Sequence, residues 1–282
     1  MLLPEFCEEL FYVKKINLFE STFKIYLQKV DKYNILETQK WLKRINFDYT
    51  VQQLKKLQIL NLYNNQLTTI PISNLNLPNL QQLSFTDNQL TSIPNLNLPN
   101  LEILHLSFNK LTSIPNLNLP NLQRLYLSYN QLTSFPNLNL PNLQILELSH
   151  NELISIQMLS FSNLPKLLVL FLLNNQLTSF PNLNLPNLQE LSLSHNQLTS
   201  IPNLNLPNLQ RLYLYNNQLT SIPNLNLPDL QRFYLNNNQL TSIPTLSLSN
   251  LPDLQDLELS NNPLSETEKA RLKSIYGKKI II

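Results

Sequence analysis

Apolar and polar positions follow a fixed order along most of this chain. From Leu57 to Asn262 the unit Leu-x-x-Leu-x-Leu-x-x-Asn-x-Leu-Thr-Ser-Ile-Pro-Asn-Leu-Asn-Leu-Pro-Asn recurs head to tail, with its cleanest copy at residues 101–121. Ten units begin at Leu57, Leu80, Leu101, Leu122, Leu143, Leu167, Leu188, Leu209, Leu230 and Leu254; the first nine have lengths 23, 21, 21, 21, 24, 21, 21, 21 and 24, and the tenth is truncated. Such a period predicts stacked supersecondary units rather than a globule with a cleft. In the unit at Leu101, the Leu-x-Leu step puts Leu104 and Leu106 on one face of a short strand, with Leu101, Leu111, Ile114, Leu117 and Leu119 also pointing inward. One unit cannot bury these side chains alone. Stacked units can, at about 1.5–3 kcal/mol for each fully buried aliphatic side chain.

A larger period lies over the first. Residues 80–166 match 167–253 at an offset of 87, with Leu-Gln-Arg-Leu-Tyr-Leu at both 122–127 and 209–214, as a duplicated four-unit block would produce. The remaining inward position is Asn, at 65, 88, 109, 130, 151, 175, 196, 217, 238 and 262. A buried amide must be paired, so these residues are expected to bond the backbone of their own and adjacent coils, as a structural ladder. Two prolines per unit, such as Pro115 and Pro120, forbid an α-helix on the outer side and predict extended or turn backbone there. The three extra residues in the units at Leu143 and Leu230 leave room for one helical turn before Pro165 and Pro252. Gly277 is the only glycine, so the turns must rely on Asn and Pro.

On these residues the chain resembles the leucine-rich-repeat family, whose pattern Leu-x-x-Leu-x-Leu-x-x-Asn-x-Leu stands at 57–67 and in each later full unit. Phe85 and Phe233 at Leu positions, and Gln157 where Pro is usual, are small departures. The resemblance implies an α/β fold: a right-handed solenoid, or horseshoe, with a concave parallel β-sheet, a mostly non-helical convex side and helical caps. The short Ile-Pro and Phe-Pro units are similar in style to bacterial leucine-rich-repeat proteins, including effectors delivered into host cells.

An open solenoid must cover its end layers. Residues 1–56 are expected to form a helical N-terminal cap, with apolar residues at helical spacing over Pro4–Val13, Thr22–Val30 and Ile35–Ile45. Thr50 with Gln53 has the form of a capping box before a short helix at Val51–Lys56, and Trp41, Leu42 and Ile45 should lie on the first coil. Residues 57–262 form the solenoid. Residues 263–282 form a C-terminal helical cap and tail, with Ser265 and Glu268 as capping box, Leu272, Ile275 and Tyr276 as buried face, and Gly277 as terminator. The periodicity assigns no place to Lys278–Ile282. The start, Leu3-Pro-Glu followed by Leu10-Phe11, bears a partial resemblance to an F-box, a helical adaptor that recruits a ubiquitin ligase; the rest of that pattern is not evident in 12–56.

Composition narrows the function classes. The net charge is +2, which carries no general attraction to nucleic acid. Residues 1–56 hold ten Lys/Arg and seven Asp/Glu, the repeats five and nine, and residues 263–282 five and two. Cys7 alone excludes an internal disulfide. The acidic start lacks the form of a signal peptide, no apolar run reaches the length of a membrane span, and no Asn-x-Ser/Thr sequon occurs. These features point to a reducing cytoplasm, with signal-less secretion into a host cell left open.

No nucleotide or metal motif is present, and no cofactor is implied. His105, His150 and His195 sit in alternate coils, on the order of 10 Å apart at the usual strand spacing, too far to share a zinc ion. The informative positions are the third, fifth, seventh, eighth and tenth of each unit, which face concave solvent. Arg211, Tyr213, Tyr215, Arg232 and Tyr234 form one group in adjacent coils, with Arg124, Tyr126 and Tyr129 as its duplicate; Val169, Phe171 and Leu173 form an apolar strand with Ile145 alongside. Tyr and Arg carry much of the binding energy at interfaces, and exposed apolar residues in mid-sheet call for a reason. Tyr213 packing on Tyr234 could serve the sheet alone. Stacked Tyr with Arg would also suit single-stranded nucleic acid, but the acidic repeats argue against it. The expectation is a monomeric, non-catalytic scaffold that binds a protein partner on its concave face, extending to an effector acting on host proteins. The alternative is a ligase adaptor working through its N-terminal helices.

Overall fold

The computed structural model describes residues 34–70, 74–157, 161–244 and 251–282. The helices expected at 4–13 and 22–30, Cys7 and the Leu3–Phe11 signal fall outside those residues.

Because the fourth and sixth side chains of each unit turn inward while the third and fifth turn out, three residues of extended backbone suffice per coil. The concave strands are β1 (Ile59–Asn61), β3 (Gln82–Ser84), β5 (Ile103–His105), β6 (Arg124–Tyr126), β7 (Ile145–Glu147), β8 (Val169–Phe171), β9 (Glu190–Ser192), β10 (Arg211–Tyr213), β11 (Arg232–Tyr234) and β12 (Asp256–Glu258). They pair in parallel, in chain order, with equivalent positions of successive units side by side. Behind them one continuous apolar cluster runs from Ile35 to Tyr276, with Phe85 and Phe233 accepted in place of Leu.

The amide ladder forms as expected. Asn130 Oδ1 accepts the Leu111 N–H at 3.0 Å, and its Nδ2 donates to Leu106 and Leu127 carbonyls, each at 3.0 Å. Asn109, Asn151, Asn175, Asn196, Asn217 and Asn238 repeat the same three bonds. Asn65 and Asn262, at the two ends, are only half-buried. Asn65 stands in the first repeat, and among the described residues its amide donates only to Tyr63.

At the eighth position of every unit the backbone passes through the left-handed region, with φ from 52° at Asn64 to 57° at Asp87. Asn, Asp and His tolerate that conformation better than bulkier residues. Phe108 and Tyr129 occupy it nonetheless, at φ 57° and 56°.

On the convex side the described repeat residues contain no α-helix. In the long unit at Leu143 a 3-10 turn occurs at Phe161–Asn163, where the extra residues were expected to coil. Its counterpart before Pro252, residues 248–250, lies outside the described residues. Two features were not anticipated. Asn-Leu-Asn segments pair as a second small parallel sheet, β2 (Asn74–Asn76) with β4 (Asn95–Asn97). The Asn after the second proline forms an outer amide row: Asn100, Asn121 and Asn142 donate to the carbonyls of Pro78, Pro99 and Pro120 in the preceding coil.

At the N-terminal end, helix α1 (34–44) buries Trp41 and Leu42 on the first coils, with Trp41 6.5 Å from Phe85 between ring centroids. Ile45 is partly buried beside them. Helix α2 (Val51–Lys56) starts in the Thr50/Gln53 capping box, both halves of which are made. At the other end, α3 (Glu266–Tyr276) has Ser265 as N-cap, accepting from the Glu268 N–H. The expected reciprocal bond is replaced. Glu268 Oε1 instead accepts the Ile243 N–H of the preceding coil at 2.9 Å, and Arg271, ion-paired to Glu268, donates to the Ile243 carbonyl at 2.6 Å. The helix thus satisfies an outer backbone edge as well as covering the core with Leu272 and Tyr276; Ile275 is half-buried. Burial pushes the Tyr276 phenol up to about 12, against the opposing pull of Arg271. After Gly277, at φ 58°, the tail supplies β13 (Ile280–Ile281), which adds in parallel to β12 as the last strand of the concave sheet.

Candidate functional site

The parallel register sorts outward side chains into rows across the sheet. The third-position row runs Arg124, Ile145, Val169, Glu190, Arg211, Arg232, Asp256, and the fifth-position row Tyr126, Glu147, Phe171, Ser192, Tyr213, Tyr234, Glu258. Arg211 pairs with Glu190 at 3.2 Å and Arg232 with Asp256 at 3.5 Å. Both pairs are partly exposed, so each contributes little to stability. They neutralise two of the three arginines identified from sequence. Arg124, set between Ile103 and Ile145, makes no such pair among the described residues.

Aromatic rings build on this frame. Tyr126 stacks on His105 at 4.5 Å, and Tyr213 meets Tyr234 edge-on at 5.3 Å. Burial, then the Arg124 charge, hold the His105 imidazole below its usual value. Burial and the Glu190 charge push the Tyr213 phenol up, opposed by Arg232 and Arg211. Above the strands, in the left-handed turns, Phe108 stacks on Tyr129 at 4.4 Å and Tyr129 on His150 at 4.1 Å. Asn174 Nδ2 lies 2.7 Å from His150 Nδ1, a contact that ties this turn to the next. Phe108 and Tyr129 remain 49% and 45% exposed, although each occupies a backbone conformation that disfavours large side chains.

Between this stack and the Tyr213–Tyr234 pair lies a concave hollow of about 550 Å³. It brings together six of the residues expected from sequence: Tyr129, Phe171, Leu173, Tyr213, Tyr215 and Tyr234. Arg124, Tyr126, Ile145, Val169, Arg211 and Arg232 face the same side of the sheet but are not in its wall. Phe171, Leu173 and Val169 are half-buried rather than open, because strands on both sides shield them. The sequence reading assigned no site role to Glu147, Glu190 or His150, which line the wall with Ser128, Ser149 and Ser192, and passed over Phe108, which extends the stack. Glu147 occupies an outward fifth position, so the alternation that singled out Tyr126 and Phe171 would have found it too.

Beside the hollow, Ser194 is fully buried and its hydroxyl has no hydrogen-bond partner among the described residues. Its coil is bonded to those of Leu173 and Tyr215, since the Asn174 N–H donates to the Ser194 carbonyl and the His195 N–H to that of Tyr215. Among the described residues no group of His, Cys, Asp and Glu could hold a metal ion, and no helix is long and apolar enough to cross a membrane.

The chain matches the family description "Leucine Rich repeats (2 copies)" at 55–98, 78–119, 99–140, 120–161 and 186–227, and "Leucine rich repeat" at 141–198 and 207–264. No curated protein matches it. Among solved structures it is similar to YopM, a leucine-rich effector protein of Yersinia pestis, with 29% identity over 75% of this chain and a TM-score of 0.63. The match spans 63% of the length of YopM. It is also similar to InlP of Listeria monocytogenes, with 30% identity over 77% of this chain and 67% of that one and a TM-score of 0.61. A chain in the octameric complex of Latrophilin 3, Unc5D and FLRT2 shares the fold at 24% identity, covering 80% of this chain and 82% of that one, with a TM-score of 0.58. The repeat matches run unbroken from 55 to 264, over coils whose inner ladder and parallel register they explain, and the chain belongs to the leucine-rich-repeat family.

Proposed function

We propose that the chain is a non-catalytic scaffold that holds a protein partner on its concave sheet, with contact centred on the hollow from Tyr129 to Tyr234. The observation that carries this is the concentration of half-buried aromatic and aliphatic side chains at positions whose inward neighbours already complete the core. Phe171, Tyr213 and Tyr234 stabilise no interior layer. They offer large area with few torsions to lose, the property that makes such residues dominate binding energy. Repeat folds of this family generally serve protein–protein interaction, and YopM is itself described as an effector. The same role, acting on proteins of a host cell, is our reading for this chain.

The test is affinity capture with the full chain and with a Phe171→Glu/Tyr213→Ala variant, followed by mass spectrometry. The expected result is a partner captured by the parent chain and lost by the variant, with circular dichroism unchanged. Equal capture by both proteins would remove this surface as the site.

A further inference from the structure

Resting on that reading, we propose that the hollow receives a basic side chain, Arg or Lys, projecting from the protein partner, with Glu147 as its counter-charge and the surrounding aromatic rings as its walls. Of the two carboxylates in the wall, Glu190 is already paired with Arg211. Glu147 has no cationic partner among the described residues. One of its oxygens accepts the Ser149 N–H at 2.9 Å, which fixes the carboxylate in place, and its other oxygen has no hydrogen-bond partner among those residues. His150, in the turn above, meets Asn174 through Nδ1 and forms no ion pair with Glu147 among the described residues.

The surroundings are those a cation favours. In register, Glu147 lies between Tyr126 and Phe171. Tyr126 is stacked flat on His105, one strand further away, so its second face is turned toward the Glu147 strand. Phe171, Tyr129 and Tyr213 line the hollow itself. A guanidinium or ammonium group gains from a ring face within about 6 Å of its centroid, and gains more when water is excluded. A half-buried carboxylate with a free oxygen, set among aromatic rings, suits a cation on an aliphatic stem better than an apolar or acidic group. An acidic side chain entering the hollow would meet the unbalanced Glu147 charge. A purely apolar one would cover that charge without pairing it.

The test uses the full chain with two small probes, N-acetyl-arginine amide and its uncharged isostere N-acetyl-citrulline amide, titrated while aromatic proton resonances are followed by NMR. The arginine probe should shift the Phe171 and Tyr213 signals and bind about fivefold or more tightly than the citrulline probe. Glu147→Gln keeps the acceptor for Ser149 and should bring arginine binding down to the citrulline level. Equal binding of the two probes, or unchanged arginine binding in Glu147→Gln, would overturn the proposal. Partner capture separates this failure from that of the scaffold reading. A partner lost with Phe171→Glu/Tyr213→Ala but held fully by Glu147→Gln would leave the scaffold and refute the basic side chain. A partner held by all variants would refute both.

Discussion

The two four-unit blocks, 80–166 and 167–253, have the same interior and different concave faces. Asn130 and Asn217 occupy equivalent coils and make the same three bonds at nearly the same lengths. Leu104 and Leu191 are equally buried. Outside, Glu147 corresponds to Tyr234, His105 to Ser192, Ser84 to Phe171 and Tyr129 to Asn216. Stacking confines the inward positions, because each inner side chain must fit the coils before and after it. An outward side chain has only its row neighbours to satisfy. The hollow lies across the junction of the blocks, taking Tyr129, Glu147 and His150 from the first and Phe171, Tyr213 and Tyr234 from the second.

If the interiors are equivalent, breaking the ladder should cost the same in either block. Asn130→Ala strands the buried Leu111 N–H and removes two further bonds, and Asn217→Ala does the same to the Leu198 N–H. Each is expected to destabilise the chain by about 3 kcal/mol, on the usual cost of unpaired buried groups. Asn65→Ala, at the end of the ladder, should cost well under about 1 kcal/mol. Urea unfolding of the three variants measures this. A difference of more than about 1 kcal/mol between Asn130→Ala and Asn217→Ala would mean that the blocks are not interchangeable within.

The interior was the most legible part of the chain because it is governed by local, repeated constraints. Leu101 or Asn109 can be placed by counting, since every coil poses the same packing problem. Counting says which side a residue faces but not its backbone torsion. Tyr129 was therefore singled out as a binding residue and Phe108 passed over, and in neither case did the residue's own chemistry signal the left-handed turn in which it sits. The strand at Ile280–Ile281 was illegible for a different reason: its partner, Leu257–Glu258, lies on the far side of a helix, and only the path of that helix brings the tail back to the sheet edge. The hollow was half legible. Its aromatic members attract attention as residue types, whereas Glu147 matters through what lies across two strand pairings from it.

The left-handed turns offer a finer comparison. Tyr129 bears the steric cost of its turn, of order 1–2 kcal/mol, but stacks on Phe108 and His150, each contact contributing about 0.5–1.5 kcal/mol. Asn216, in the second block, has Asn237 on one side, and on the other His195, which already meets Tyr215 edge-on. Asn216→Tyr should therefore import the strain without the stack and cost about 1–2 kcal/mol. Tyr129→Asn exchanges one for the other and should cost about 1 kcal/mol or less. Urea midpoints at constant m-value decide the matter. A stabilising Asn216→Tyr would show that the turn itself, rather than its neighbours, accommodates the ring.

The smallest expected effect is pH-dependent and belongs to the first block alone. Burial and then Arg124 hold His105 below the ordinary imidazole value of 6.5, whereas its counterpart Ser192 does not titrate. A histidine whose folded-state pKa is lowered binds fewer protons folded than unfolded, so stability is lost as pH falls below the unfolded value. His105→Ser forfeits the stack on Tyr126 at every pH but removes that acid-side loss. Thermal midpoints of the parent chain and the variant, compared at about pH 7.5 and about pH 5.5, isolate the titration because every other group is common to both. The parent should lose more than the variant on going to the lower pH. An equal loss would mean that His105 takes up its proton as easily folded as unfolded, and that this position contributes no acid-side difference between the blocks.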